Sequence, residues 1–166
     1  FVNDDNTFLP DATTPPALAW AIKQEIPEVE EATKFMPNWG AKFLVRYGDN
    51  VFYEEGRYRA DSSILKIFTY KFLEGSSATA LSKPQSVIIS RSMEKKYFGK
   101  EEALGKTIEI GEGENKAYAV TGVIEDIPEQ AHFHFDFLIS LPSNSAQLNT
   151  NWARYTWYTY IKLKPG

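Results

Sequence analysis

Short β-prone runs, each broken within a few residues by Gly, Asn, Asp or Pro, are what most restrict the folds open to this chain. Lys42–Tyr47 and Val51–Tyr58 flank Gly48-Asp49-Asn50, the pattern of a β-hairpin. Ser86-Val87-Ile88-Ile89 contains a continuous apolar run, as in a buried strand. Lys106–Ile110 and Ala117–Glu125 flank a loop at 111–115. Phe133–Leu141 and Tyr155–Leu163 alternate with period two, and 142–151 between them is a Pro/Ser/Asn loop. Val29–Met36 reads as a strand or an irregular edge ended by Pro37-Asn38. Helical signals are brief. Thr14 can cap a helix opening at Pro15 or Pro16, with Leu18, Ala21, Ile22 and Ile26 at helical spacing and Pro27 as its stop. Asp61 is placed to cap a short helix carrying Ile64, Leu65 and Phe68. Ser90, with Glu94 near the capping-box position, opens a third helix through Met93, Tyr97 and Phe98, and Gly99 closes it. Hairpins mixed with βα pairs, about three helices and seven or eight strands, predict an α+β fold.

Composition narrows the function classes. The 166 residues suffice for one domain with a core that needs no covalent staple. With 4 Trp, 9 Tyr and 11 Phe the chain is not disordered as a whole. The net charge is −4, and acids and bases are interspersed with no basic stripe. That argues against nucleic acid and against an anionic membrane surface as partners. The absence of cysteine excludes disulfides and thiol catalysis while leaving the compartment open. No apolar run approaches membrane-spanning length and no signal peptide is visible, so the Met-less start reads as an excised piece of something longer. Residues 1–14, polar and rich in Thr, Asp and Pro, are expected to be loosely ordered, with the folded domain over 15–166.

Four groups of residues could carry chemistry. Leu104-Gly105-Lys106-Thr107 ends like a phosphate-binding loop, but Lys100 stands where the first glycine belongs and a strand follows instead of a helix. His132, His134 and Asp136 would share one face of a strand, opposite Phe133, Phe135 and Phe137. Same-face neighbours lie about 7 Å apart, awkward for one metal ion, so a polar face over an aromatic core is the simpler reading. The acidic clusters Glu28, Glu30, Glu31 and Glu54, Glu55 could pair for acid–base work, but adjacent acids on a β-edge are usually solvated. Trp152, Tyr155, Trp157, Tyr158 and Tyr160 could stack a glycan or anchor a peptide, with Tyr158 and Tyr160 in phase and Trp157 opposed. No Gly-x-Ser-x-Gly elbow is present, and the two His lie together. Residue chemistry therefore assigns no catalytic, cofactor or metal residues.

Phrases in a fixed order carry a resemblance. They are Pro15-Pro16-Ala17-Leu18, Ile26-Pro27-Glu28-Val29-Glu30, Ala60-Asp61-Ser62-Ser63 with Ile67-Phe68, and Phe72-Leu73-Glu74-Gly75. Pro84–Ser90, Lys96-Tyr97-Phe98-Gly99, Leu104–Thr107 and Val120–Pro128 follow, then His132-Phe133, Phe135-Asp136-Phe137 and Ser140-Leu141. Together they resemble the MacB-like periplasmic core domain of bacterial ABC-transporter permeases of the FtsX/MacB type, over about residues 15–164. The resemblance implies a mixed sheet with porter-like βα units plus a smaller β-rich sub-domain. The family's domain normally runs past the strand at Tyr160–Lys164, which implies a piece incomplete at its C-terminal end. It implies an inner-membrane parent with this domain on the periplasmic side, and a non-catalytic role without cofactors. The partners it implies are a second permease subunit or repeat, a cytoplasmic ATPase reached through the membrane helices, and a periplasmic adaptor or a substrate peptide or lipoprotein. The alternative is a secreted glycan- or peptide-binding module using the aromatics of 152–160.

Overall fold

The computed structural model describes residues 12–112, 114–141 and 145–166. In chain order the elements are α1 (Ala17–Glu25), β1 (Val29–Pro37), β2 (Phe43–Tyr47), β3 (Asn50–Glu54), β4 (Arg57–Ala60), α2 (Ile64–Ile67) and β5 (Phe72–Gly75). They continue with β6 (Ser86–Ser90), α3 (Arg91–Phe98), β7 (Thr107–Glu112), β8 (Glu114–Ile124), β9 (Phe137–Ser140), a 3-10 helix (Ser145–Thr150) and β10 (Tyr158–Leu163). The described strands form one ten-stranded mixed sheet in the order β10-β1-β4-β9-β6-β8-β7-β2-β3, with β5 also on β8. The expected α+β architecture is present. Its β-rich part, β8-β7-β2-β3, is continuous with the rest of the sheet.

The centre is β6. All five of its residues are buried, as the apolar run predicts. It pairs parallel with β8 and antiparallel with β9. Alternate side chains feed two cores. Val87 and Ile89 join Phe43, Val45, Tyr97, Ile108, Val120 and Phe137. Ile88 joins Phe35, Ala60, Ile64, Leu65, Ile124 and Leu138. α3 brings Tyr97 and Phe98 to the first core, and α2 brings Ile64 and Leu65 to the second. The βα step at β6–α3 is capped as its sequence predicts: the Ser90 hydroxyl accepts from the Met93 N–H. Glu94 does not complete a capping box. Its carboxylate is buried and pairs with Arg91 and the Ala103 N–H.

Several expectations change. Thr14 caps no helix; α1 opens at Pro16 without a side-chain cap. Thr14 instead pairs with Trp157 across the chain, its N–H donating to the Trp157 carbonyl at 2.6 Å. Its hydroxyl donates to the same carbonyl and lies 2.7 Å from that of Thr159. Residues 1–11 of the expected loose segment lie outside the described residues, as do Gly113 and 142–144 of the expected loops. β1 is not an edge, because β10 and β4 flank it. The run Val51–Tyr58 is two strands: it breaks at Glu55-Gly56, where Gly56 takes φ +74° and its carbonyl accepts from the Asp136 and Phe137 N–H groups. β4 then leaves the β2–β3 hairpin to pair parallel with β9. The alternating run from Phe133 becomes a strand only at Phe137.

Two glycines separate backbone conformation from close packing. A Cβ on Gly75 (φ +76°) would lie 2.5 Å from the Thr121 carbonyl oxygen, whereas one on Gly40 (φ +75°) would meet nothing within 4 Å. In urea unfolding, Gly40→Ala is expected to cost about 1 kcal/mol for its left-handed backbone. Gly75→Ala is expected to cost about 3 kcal/mol or more, because the backbone contact adds to the same conformational penalty. Equal losses would show that the β5–β8 approach is not tight.

Candidate functional site

The Leu104–Thr107 turn is built against an anion. The Leu104 N–H already donates to the Glu74 carboxylate at 3.1 Å, and the Gly105 and Lys106 N–H groups donate to the carbonyls of Val120 and Ala103. Lys106 pairs with Glu101 and lies over the Phe98 ring at 5.6 Å. The Leu104, Gly105 and Lys106 amides are thus engaged within the fold, and the turn leads into β7.

The histidines and Asp136 are not brought together. With no strand at 132–136, the same-face placement does not arise. His134 Nε2 lies 2.6 Å from the Pro128 carbonyl, and His132 stands edge-on to Tyr160 at 6.0 Å. Asp136 turns the other way and accepts from the Ser90 hydroxyl at 2.7 Å, beneath α3. Its backbone bridges Gly56 and Ser90. Among the described residues no group of three His, Asp or Glu is arranged to hold a metal ion.

Four of the five clustered acids form ion pairs. Glu31 pairs with Lys66 at 3.0 Å and Lys23 at 3.6 Å, and Glu30 with Lys162 at 2.8 Å. Glu54 is not a solvated edge acid. It is buried, pairs with Lys96 at 2.6 Å and accepts from the Tyr97 hydroxyl, both on α3. Glu54 and Glu55 diverge, Glu55 pairing with Lys42 at 3.8 Å.

The aromatics of 152–160 separate as well. Trp152 and Tyr155 are exposed and Trp157 is buried, so no single platform forms. Tyr158 and Tyr160 lie in phase, as their spacing predicts, but they join a cluster assembled from across the sheet. Its hub is Phe35, with ring centres of Phe133 at 4.8 Å, Tyr58 at 5.4 Å, and Tyr158 and Tyr160 at 5.5 Å. Phe68 meets Phe133 at 5.0 Å and Tyr160 at 5.2 Å, while Tyr70 meets Phe135 at 5.4 Å. Phe137, grouped with Phe133 and Phe135 by the alternating reading, turns to the other core against Phe43 and Tyr97. An open cleft of about 650 Å³ runs along Phe35, Tyr58, His132, Phe133, Tyr158 and Tyr160. Burial pushes the Tyr58, Tyr70 and Tyr160 phenols up from their ordinary value, so all three stay neutral near neutral pH. The cleft therefore mixes aromatic rings with phenol hydroxyls and the His132 and His134 side chains. It suits packing and hydrogen bonding.

The structure is thus a mixed sheet with a broad aromatic face, in which segments distant in the chain pair side by side. The chain belongs to the family of MacB-like periplasmic core domains, whose model matches residues 3–166. It is thus a periplasmic-type domain of a MacB/FtsX-like ABC-transporter permease. Solved structures agree on the fold. A domain assigned to a permease protein from Porphyromonas gingivalis is 26% identical, covering 93% of this chain and 70% of that one, with a TM-score of 0.77. The extracellular domain of the noncanonic ABC-type transporter YknZ from Gram-positive bacteria is 19% identical (99% and 81% covered, TM-score 0.60). The periplasmic region of MacB from Actinobacillus actinomycetemcomitans is 15% identical (94% and 81% covered, TM-score 0.54). A search of curated proteins finds no match. Among the described residues no helix is long and apolar enough to cross a membrane.

Asp136 offers a pH test of its structural role. Burial is the main cause that pushes its carboxyl above the ordinary value, against the lowering by Ser90. A raised carboxyl favours the fold below the ordinary Asp range, and that gain is lost as pH rises through the raised value. Asp136→Asn keeps an acceptor for Ser90 without the charge. It is expected to unfold at higher urea than the parent near pH 7, with the gap closing below about pH 4. A variant less stable at both pH values would show that the charge itself is needed.

Proposed function

We propose that this domain transmits ATP-driven motion of the permease to export or extraction of a substrate outside the membrane, breaking no covalent bond itself. The reading takes residues 15–166 as the moving unit. The inner membrane carries the parent, a second permease copy is the neighbour against which the unit moves, and the ATPase works in the cytoplasm.

The observation that carries this reading is the way the chain closes on itself. Thr14 and Trp157 stand 143 residues apart and are hydrogen-bonded through backbone and side chain. The strand that follows Trp157, β10, pairs with β1 over Val29–Phe35, and β1 continues through β4 and β9 to buried β6. A displacement applied where these two segments meet is passed to the whole sheet through consecutive strand pairs. Two close-packed cores on opposite faces resist bending of that sheet. A stiff body of this kind couples to a reaction elsewhere only by touching its neighbour differently in two states. The aromatic cleft, wide and open, is the face best suited to such a changing contact.

These 166 residues contain no cysteine, so within the domain a label attaches only where a cysteine is introduced. Tyr53 on β3 and Leu163 on β10 are exposed and lie on the two opposite edges of the sheet. In the full-length permease with its ATPase, spin labels at Tyr53→Cys and Leu163→Cys are expected to hold one intradomain distance with and without ATP. A single Tyr53→Cys label on each copy is expected to report a distance between copies that changes with nucleotide. A changing intradomain distance, or no change between copies, would overturn the lever.

A further inference from the structure

A second cavity lies on a different part of the molecule, where α1 and the 3-10 helix cross β1. Its volume is about 330 Å³, and Trp20, Lys23, Lys34, Asp61, Leu141 and Asn149 line it. Space exists there because the facing side chains are small: Ala19, Ala32 and Ala146 complete the wall. Lys34, from β1, is only 4% exposed. Its ammonium donates to Asn149 Oδ1 at 2.6 Å, and among the described residues that is its one hydrogen bond. An ammonium has three donors, and burying it with two unused is costly.

Asp61 is near enough to stabilise the Lys34 charge but forms no hydrogen bond with it, and one of its oxygens is engaged elsewhere. Its Oδ1 accepts from the Thr33 hydroxyl at 3.1 Å, from the Ser63 N–H at 3.1 Å and from the Ser63 hydroxyl. Lys23, a second ammonium at the rim, is shared with Glu31 and the Glu30 carbonyl. Trp20 leaves α1 half exposed at 48% and offers an indole wall. Burial pulls the Lys34 ammonium down from its ordinary value, the mark of a cation short of partners. Lys34, Lys23 and Lys66 stand against Asp61 and Glu31, which leaves a net charge of +1 that one negative charge balances, whereas a doubly charged group such as phosphate would overshoot it.

We propose that this cavity binds a carboxylate, with the Lys34 ammonium as counter-charge and the Trp20 indole as the wall for the attached hydrocarbon. A free short-chain acid and the terminal carboxylate of a peptide share that chemistry. The site does not depend on the transport reading and stands or falls separately.

The test uses the 166-residue chain. Hexanoate and N-acetyl-Leu-Ala are titrated at millimolar concentration, each beside its neutral amide. The resonances followed are the Lys34 side-chain Cε and the Trp20 indole N–H. At least one acid is expected to shift both saturably while its amide does not. Saturation by hexanoate alone assigns a free acid, saturation by the peptide alone assigns a peptide terminus, and either supports the site. Lys34→Met is expected to weaken binding by about tenfold or more, the effect of removing a charged hydrogen bond. Trp20→Ala, at an exposed position, is expected to weaken it with the fold intact, and serves if Lys34→Met does not fold. No saturable shift with either acid, amides that match the acids, or a folded Lys34→Met variant that binds as the parent would each overturn the proposal.

Discussion

The whole architecture depends on burying both faces of β6. A strand with water on neither side needs a packed layer above and below. The chain supplies both: α3 with the hairpin strands closes one face, and α2 with the aromatic cluster closes the other. The flanking strands repeat the division. In β9, Phe137 and Ile139 face the first core and Leu138 the second, and in β8 Val120 and Val123 are divided from Ile124 in the same way. Removing either layer would strand part of the central sheet in water. The two cores are thus tied through shared strands, and this is the physical origin of the stiffness on which the transport reading rests.

Local pattern was enough wherever a residue's partner lay close in the chain. The apolar run at Val87–Ile89, the β2–β3 hairpin around Gly48-Asp49 and the Ser90 cap are all visible within a few residues. Long-range pairing was not visible. Val29–Met36 reads as a strand or an irregular edge, and nothing near it chooses between the two, because β10, which pairs with it, lies more than a hundred residues on. Glu54 reads as a solvated acid because Lys96 and Tyr97 reach it from another element. Period-two alternation misled at His132–Asp136, where the Asp136 backbone is held by Gly56 and Ser90 instead of by a strand neighbour. The candidate site shows the same divide. Tyr158 and Tyr160 could be placed in phase, but Phe35, the ring that gathers them, carries no local sign of that role.

The polar groups show how this domain uses buried charge. Glu54 ties the β2–β3 hairpin to α3, Asp136 ties the segment before β9 to the cap of α3, and Asp61 ties β1 to the start of α2. Each joins elements distant in sequence, which favours one arrangement of the sheet over its alternatives. Lys34 is the exception. It joins β1 to the 3-10 helix but faces open space, so its charge is the one least accounted for by the fold.

The account rests on the sheet moving as one body. Native-state hydrogen exchange under rising, sub-denaturing urea addresses this directly, because it reports whether regions open separately. If the sheet is one body, the amides of Ala32 and Phe35 in β1 and of Val120 and Val123 in β8 will converge on a single opening free energy equal to that of global unfolding. If the β1–β10 amides instead exchange through a smaller opening while β6 and β8 stay protected, the two halves are separate units and the domain cannot act as a stiff lever.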